Sequence, residues 1–328
     1  MKQKRSKNLP ASIHQLLLNK AHESNREFNE LLQYFAMERL LYRLSKSNHA
    51  NDFTLKGALM LRVWGITLSR PTMDIDLSGR TDNDILTIID IIRDICHTAV
   101  EPDGIQFDLD SIRGEPIRET AAYEGVRVYV KGSLGNSRLT IHLDISFGDV
   151  VVPDTPKVEF PTLLDFPAPI LKTYSRESAI AEKFEAMVRL GLVNSRMKDF
   201  YDIWLLSKRF DFDRSILSDA IRQTFKRRSA EIPEIPIAFT EDFFTNPAKV
   251  TQWRAFIARK RIDDAPTNLA EVVEAIKTFL KPVIDNLKTD KPMGDAWKAP
   301  GPWRSQHFQE SLDNINEIHS ETLNKLTE

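Results

Sequence analysis

Two aspartates separated by one residue, Asp74 and Asp76, are the side chains whose type and spacing most clearly suggest chemistry. Alternate residues of a strand point to the same face, so both carboxylates share one face while Met73, Ile75 and Leu77 share the other. Neighbouring carboxylates repel each other unless a cation lies between them. The pair indicates a platform for magnesium and nucleotide phosphates. The alternative is an edge strand with two solvated aspartates.

A third aspartate, Asp144, lies on the polar face of a second predicted strand, residues 138–147. Apolar and polar residues alternate through this segment, and a turn at 132–136 joins it to a predicted strand over 125–131. If residues 138–147 lie beside the first aspartate pair, three carboxylates share one surface. Three carboxylates can hold two Mg²⁺ ions, as in phosphoryl-type transfer. The alternative is a solvent-facing aspartate on a half-buried hairpin.

A lysine interrupts the apolar side of a predicted helix over 175–190. At 100° per residue, Lys183 lies between Met187 and Leu190, inside the apolar stripe. A lysine in this position must extend to solvent, pair with a carboxylate, or bind a phosphate of a ligand.

The next predicted helix, residues 197–209, is apolar around most of its circumference but carries Asp199 and Asp202. Carboxylates on a buried helix need cations, and Lys183 or a magnesium ion can supply the charge. Two interpretations stay open. The lysine and the aspartates form either a structural salt bridge between helices or a cluster that binds a ligand.

The composition is that of an ordinary globular protein, and its length suggests about two domains. The chain has 328 residues, with 45 Lys and Arg against 47 Asp and Glu, so any basic surface for a nucleic acid must be local. Its single cysteine, Cys96, excludes an internal disulfide and a zinc site with several thiolates. We find no signal peptide and no transmembrane segment, and we expect a cytoplasmic protein with no membrane partner.

The order of the predicted elements indicates an α/β region followed by an α-helical half. Helices are expected over 10–47, 58–64 and 81–99 in the first part, and over 175–190, 197–209, 213–225 and 240–288 in the second. The proline-rich segment 153–169 marks a boundary, and 291–303 is expected to be a connector before a polar terminal helix. The predicted domains are an N-terminal helical segment 1–50, an α/β core 51–160, a helical half 161–225 and a C-terminal helical region 226–328.

Other candidates carry less chemistry. His142 lies on a polar strand face with no second His or Cys at ligand spacing. The basic clusters 226–228 and 259–261 suit either RNA phosphates or plain solvated surface. Trp297 and Trp303 suit a clamp on the chain's own surface better than a base-stacking platform. Neither a P-loop nor a Rossmann glycine motif occurs in the sequence.

Five short motifs in order resemble the AbiEii toxin family, nucleotidyltransferases of the polymerase-β type that include the MenT toxins. The motifs are FTLKGAL at 53–59, SRPTMDIDL at 69–77, LDISFGD at 143–149, AEKFEA at 181–186 and KDFYDI at 198–203. Helical residues 20–47 also resemble the segment before the first motif. The resemblance extends over about residues 15–210. Each motif is short, but their order and spacing together are specific.

The resemblance implies an α+β fold, in which a polymerase-β-like core with a mixed sheet precedes an α-helical domain. It implies a nucleotide-binding cleft between the α/β region and the following helices. Asp74 and Asp76 would bind Mg²⁺ and nucleotide, and Asp144 would be a third metal ligand. Lys183 would contact phosphate, and Asp199 would complete the catalytic set.

The matched motifs also imply contacts to the nucleotide. These fall on Lys56, Gly57, Arg70, Thr72 and Asp202, in addition to Lys183. One departure concerns the turn of the first motif, where the family has a second glycine and this chain has Ala58. The extra methyl leaves the turn intact if φ is negative, but it narrows the approach for phosphates.

The resemblance further implies a Mg²⁺-dependent toxin of a toxin–antitoxin or phage-defence system. The toxin would transfer a nucleotide from an NTP to an RNA acceptor, with a tRNA 3′ end as the expected target and an antitoxin from a neighbouring gene as a partner. The alternative is a catalytically inactive nucleotide-binding or protein-interaction module on the same fold. The presence of every charged motif residue favours the enzyme.

Overall fold

The computed structural model of the chain describes residues 8–66, 72–120, 123–260, 262–289 and 295–305. The described residues form two compact units. The first runs to Asp149 and includes Thr155–Tyr174, and the second comprises Val150–Asp154 and the described residues from Ser175 onward. The four-part division at 50, 160 and 225 stays a prediction.

The first unit combines helices with the strands of one sheet. Its helices are α1 (Leu9–Ser24), α2 (Phe28–Lys46), α3 (Met60–Val63) and α4 (Ile85–His97). Its strands are β1 (Phe53–Lys56), β2 (Asp74–Gly79), β3 (Ile105–Thr120), β4 (Tyr123–Leu134), β5 (Ser137–Phe147), β6 (Val158–Glu159) and β7 (Ile170–Thr173). The helical prediction over 10–47 becomes two helices, because Asn25 adopts a left-handed φ of +50° that ends α1.

The seven strands form one mixed sheet in the order β3-β4-β5-β2-β1-β7-β6. The pairs β2–β5 and β1–β7 are parallel, and the other neighbours are antiparallel. One face of the sheet is apolar: Ile75, Leu77 and Leu143 join Ile88 and Ile92 of α4 in the hydrophobic core. Each such side chain contributes roughly 1.5–3 kcal/mol when fully buried. The opposite face therefore carries the polar residues of the same strands.

The second unit is mostly helical, as predicted. Its helices are α5 (Arg176–Leu190), α6 (Met197–Arg209), α7 (Arg214–Arg227), α8 (Glu241–Phe244), α9 (Pro247–Lys260) and α10 (Leu269–Thr289). Three short strands, β8 (Phe212–Asp213), β9 (Asp295–Trp297) and β10 (Trp303–Ser305), form a small antiparallel sheet. The predicted α+β class, a mixed sheet followed by helices, is confirmed.

The two tryptophans show why the predicted connector 291–303 contains strands. Trp297 and Trp303 face each other across β9 and β10, and both pack on Phe279 of α10. The indole of Trp297 donates to the carbonyl of Ser207, and that of Trp303 to the carbonyl of Phe279. The tryptophans thus clamp the chain's own surface, as predicted. The predicted terminal helix lies outside the described residues.

Two features noted from composition, the single cysteine and the lack of a predicted transmembrane segment, have counterparts in the structure. Cys96 is buried, and this burial raises the pKa of its thiol to about 12, so the thiol is unreactive at neutral pH. In the described ranges, every helix is too short or too polar to cross a membrane.

Candidate active site

The polar face of the sheet brings the predicted carboxylates onto neighbouring strands. Parallel pairing of β2 with β5 places Asp76 beside Asp144 and Asp74 beside His142. Antiparallel pairing of β1 with β2 places Lys56 on the other side of Asp76. The two aspartate-bearing strands are therefore neighbours, which is the condition under which three carboxylates share one surface.

The predicted alternation along β2 holds within the strand but fails just before it. Asp74 and Asp76 are half-buried on the polar face, whereas Ile75 and Leu77 are buried. Met73 was expected on the apolar face, and this expectation is wrong: its side chain is 46% exposed. The strand begins at Asp74, so the period of two does not extend to Met73.

Arg127 of β4 donates hydrogen bonds to both carboxylate oxygens of Asp144. Its Nε lies 2.7 Å from Oδ1, and its Nη2 lies 2.7 Å from Oδ2, a bidentate arrangement. The hydrogen bonds to Asp144 raise the pKa of Arg127. Asp144 serves as an arginine partner in this structure, so the metal-ligand role stays a prediction that requires this pair to open.

Asp74 and Asp76 have the donor chemistry that Mg²⁺ requires. Mg²⁺ is usually held by one or two carboxylates together with substrate phosphates and water, and it does not need an all-protein cage. Within the described ranges, no group of three or more His, Cys, Asp and Glu side chains is arranged to hold a metal ion. The side chain of Asp74 is 45% exposed, with its Oδ1 3.3 Å from Nδ1 of His142. A carboxylate pair that solvent can reach in this way suits Mg²⁺ that binds together with the nucleotide phosphates.

The turn after β1 approaches the Asp76 carboxylate so closely that only glycine fits. Gly57 has a φ of +71°, and a Cβ built there would lie 1.9 Å from Oδ2 of Asp76. Ala58 stands where the family has a second glycine, and it lies in the short 3-10 turn Gly57–Leu59. Its φ is not positive, so an alanine adopts this conformation without backbone strain. The substitution at Ala58 therefore leaves the turn intact.

We expect Gly57→Ala to displace the Asp76 carboxylate and to inactivate the protein. Gly65→Ala is the matched control, because Gly65 has a similar φ of +77° but a Cβ at this position would have no described atom within 4 Å. Both variants carry the backbone strain of a non-glycine residue at positive φ, which costs about 1–3 kcal/mol. Thermal melting and nucleotide transfer measured on both would separate strain from the clash. Equal activity of the two variants would contradict a role for this close approach.

A buried carboxylate that the sequence argument missed lies beside Lys56. The ammonium of Lys56 is 2.8 Å from Oδ2 of Asp149, whose side chain is only 3% exposed, and 5.3 Å from the ring centre of Tyr174. The Ser146 hydroxyl also contacts this carboxylate. The available signal was the position of Asp149 at the end of the matched motif LDISFGD.

Helix α2 positions the residues just before Asp74. The hydroxyl of Tyr34 accepts a hydrogen bond from the Thr72 amide at 3.1 Å. The buried Gln33 amide donates to the carbonyl of Met73 at 3.3 Å and to that of Thr140, on β5, at 2.9 Å. Sequence reasoning missed both α2 residues, although polar side chains in a helix that is otherwise buried were a usable signal. Arg70, predicted to bind nucleotide, lies outside the described residues.

In the second unit, Lys183 is paired with both predicted aspartates. Its ammonium lies 3.1 Å from Oδ1 of Asp199 and 2.8 Å from Oδ2 of Asp202. The Asp199 side chain is completely buried, and its other oxygen lies 2.7 Å from Nε of Arg196. The structural salt bridge is therefore present, and the side chain of Lys183 retains 17% exposure. Arg196 was missed, although its i,i+3 spacing to Asp199 was visible.

The comparison with protein families identifies the chain. The profile of a family described as nucleotidyl transferase AbiEii toxin, type IV toxin–antitoxin system, matches residues 39–281. The chain belongs to the AbiEii family. Membership of this nucleotidyl transferase family implies a nucleotide substrate and an antitoxin partner. The resemblance inferred from the five motifs is confirmed.

Two solved structures resemble this AbiEii-family protein at low identity. One is a protein from H. pylori described as a candidate nucleotidyltransferase, and the other is JHP933 from Helicobacter pylori. Each is 15% identical with a TM-score of 0.44. The first covers 81% of this chain and 99% of its own, and the second covers 80% and 95%. No curated protein matches the sequence significantly.

Proposed function

We propose that this AbiEii-family protein is a Mg²⁺-dependent toxin that transfers a nucleotide from an NTP to an RNA acceptor, with a tRNA 3′ end as the expected acceptor. The observation that carries the proposal is the carboxylate pair on β2. Asp74 and Asp76 share one face, and Gly57 brings its backbone against Asp76 with no side chain between them. A pair of half-buried carboxylates beside a close backbone turn suits a metal-bound triphosphate.

The residues of the two units have distinct proposed roles. Asp74 and Asp76 would hold Mg²⁺, which when bound would neutralise charge on the phosphates and on the reacting oxygens. The turn at Gly57 and the hydroxyl of Thr72 would bind phosphate oxygens, and Lys183 would contact phosphate. Lys56, held by Asp149 at 2.8 Å, presents a cation next to Asp76 in the strand register. A fixed cation beside developing negative charge is worth more than a mobile one, because no reorganisation is needed.

The test is incubation of the protein with each labelled NTP, Mg²⁺ and total tRNA. We expect label from one or more NTPs to appear in a tRNA band, and we expect EDTA to prevent it. A parallel sample with tRNA oxidised by periodate, which destroys the terminal 2′,3′-diol, identifies the acceptor group. Label in the oxidised tRNA would contradict transfer to the 3′ end. No label in any RNA would contradict the proposed acceptor class.

One observation favours the alternative, a catalytically inactive nucleotide-binding or protein-interaction module. Both oxygens of Asp144, the third strand carboxylate, are held by Arg127, which leaves two carboxylates at the site. Binding of NTP without transfer to any RNA would support this alternative. An inactive module would also inhibit growth equally with and without Asp74.

A further inference from the structure

A row of side chains crosses the polar face of the sheet from Asp74 towards its edge strand. The register places His142 of β5 beside Asp74, Tyr129 of β4 beside His142, and Arg113 of β3 beside Tyr129. The rings of Tyr129 and His142 meet edge to face, with centroids 4.9 Å apart. The guanidinium carbon of Arg113 lies 4.6 Å from the centre of the Tyr129 ring. Two aromatic rings and a cation thus form a row that begins at the candidate metal ligand.

Basic residues continue along the same hairpin. Lys131 pairs with Thr140 and Ser133 pairs with Arg138 across β4 and β5, and the side chains of Lys131 and Arg138 are exposed. They line an open groove of about 800 Å³ whose one carboxylate belongs to Asp108.

Some polar side chains on this face have partners, whereas the cations Lys131 and Arg138 have no carboxylate partner among the described residues. The Tyr129 hydroxyl donates to Glu115 at 2.6 Å, and this bond raises the pKa of Tyr129, so the phenol stays neutral and keeps Glu115 occupied. Within the described ranges, neither Lys131 nor Arg138 takes part in an ion pair. The groove therefore offers cations to an anionic ligand.

We propose that this hairpin face, defined by Arg113, Tyr129, Lys131, Arg138 and His142, binds the single-stranded 3′ end of the RNA acceptor and leads it to Asp74. The inference rests on the proposed function, since it assigns a surface to that acceptor. Single-stranded nucleic acids bind where cations follow the backbone and aromatic rings stack on bases. This face combines both features, and its aromatic row ends at the candidate metal ligand.

The first test measures the salt dependence of RNA binding. A labelled 12-nucleotide single-stranded RNA is titrated with protein by fluorescence anisotropy, in EDTA and without NTP, over a range of salt. Each phosphate contact contributes about 0.7 to the slope of log K against log salt for single strands. We expect the double variant Lys131→Ala/Arg138→Ala to bind at least about tenfold more weakly and to reduce the slope by about 1.4.

The matched control removes two positive charges from the same unit but outside the hairpin. Lys46 ends α2 and Arg80 follows β2, and both are exposed. We expect Lys46→Ala/Arg80→Ala to leave the slope unchanged. If the control lowers the slope as much as the hairpin variant, binding follows net charge and the proposal fails.

The second test separates base stacking from charge. Tyr129→Leu removes the ring, whereas Tyr129→Phe keeps the ring and loses the hydrogen bonds of the hydroxyl to Glu115 and Arg127. Loss of a stacked base costs about tenfold in affinity. We expect that loss for leucine but not for phenylalanine, and we expect inorganic polyphosphate to bind both variants equally. Equal RNA binding by the leucine and phenylalanine variants would exclude a stacked base.

These experiments distinguish failure of this inference from failure of the proposed function. If RNA binds with the expected slopes but receives no nucleotide, the proposed function fails and the hairpin face stands. If wild-type protein binds no RNA, or if Arg259→Ala/Lys260→Ala changes the slope instead, the hairpin face is overturned. In the latter case the acceptor binds the basic cluster of the second unit, which is the RNA-binding interpretation of residues 259–261.

Discussion

Asp74→Ala should reduce nucleotide transfer by about a thousandfold or more and abolish toxicity, with little change in stability. A metal ion contributes several kcal/mol to a transition state of this kind, and each 1.4 kcal/mol is a factor of ten. The side chain is 45% exposed, and its contact with His142 is at the surface. Removal of such a carboxylate changes the free energy of unfolding by about 0.5 kcal/mol or less. Calorimetry and the tRNA-labelling assay on one preparation measure both quantities.

The matched control is Asp94→Ala, on α4. The Asp94 side chain is 74% exposed and lies 3.7 Å from Nε2 of His49, so this variant also removes an exposed aspartate near a histidine. We expect neither the melting temperature nor the transfer rate of Asp94→Ala to change. An Asp74→Ala protein that melts normally and still labels RNA would show that the metal assignment is wrong. Asp76→Asn, which keeps the shape of the side chain, should match Asp74→Ala in activity.

The parts of the fold that follow from local pattern could be predicted from the sequence. Strand β5 alternates apolar and polar residues, α5 has an apolar stripe and α6 is apolar around most of its circumference, so their positions could be read directly. Strands β6 and β7 are two and four residues long and depend on pairing with each other and with β1, far away in the chain. A segment that short has no period of its own. Its conformation is fixed by its partners.

The candidate site shows the same division between local and long-range information. The shared face of Asp74 and Asp76 follows from alternation within one strand. The pairing of Asp144 with Arg127 depends on the register of the β4–β5 hairpin, which fixes which polar residues are opposite. Asp149 carried no local signal of burial, because its partner Lys56 lies 93 residues earlier. The residue types were visible in the sequence, but the partners that occupy their charges required the tertiary fold.

Lys183→Met should lower the free energy of unfolding by about 3–5 kcal/mol, because it removes the cation that lies within 3.1 Å of two buried carboxylates. Asp202 is the carboxylate most affected: its Oδ2 lies 2.8 Å from the ammonium, and its side chain is 3% exposed. Asp199 keeps the guanidinium of Arg196 at 2.7 Å. The double variant Lys183→Met/Asp202→Asn should therefore recover most of the lost stability in urea unfolding.

The same pair of variants decides whether Lys183 also acts on the nucleotide. A lysine that only holds Asp202 becomes dispensable once Asp202 is neutral, so the double variant would then bind NTP as tightly as Asp202→Asn alone. A lysine that contacts phosphate remains necessary whatever its partner. We expect the second result, because the Lys183 side chain keeps 17% exposure beside two carboxylates. In the double variant stability returns, but the NTP affinity stays at least about tenfold lower than that of Asp202→Asn. This factor corresponds to the loss of one charge-assisted hydrogen bond. Asp202→Asn alone is the control, and it should bind NTP more tightly than the double variant.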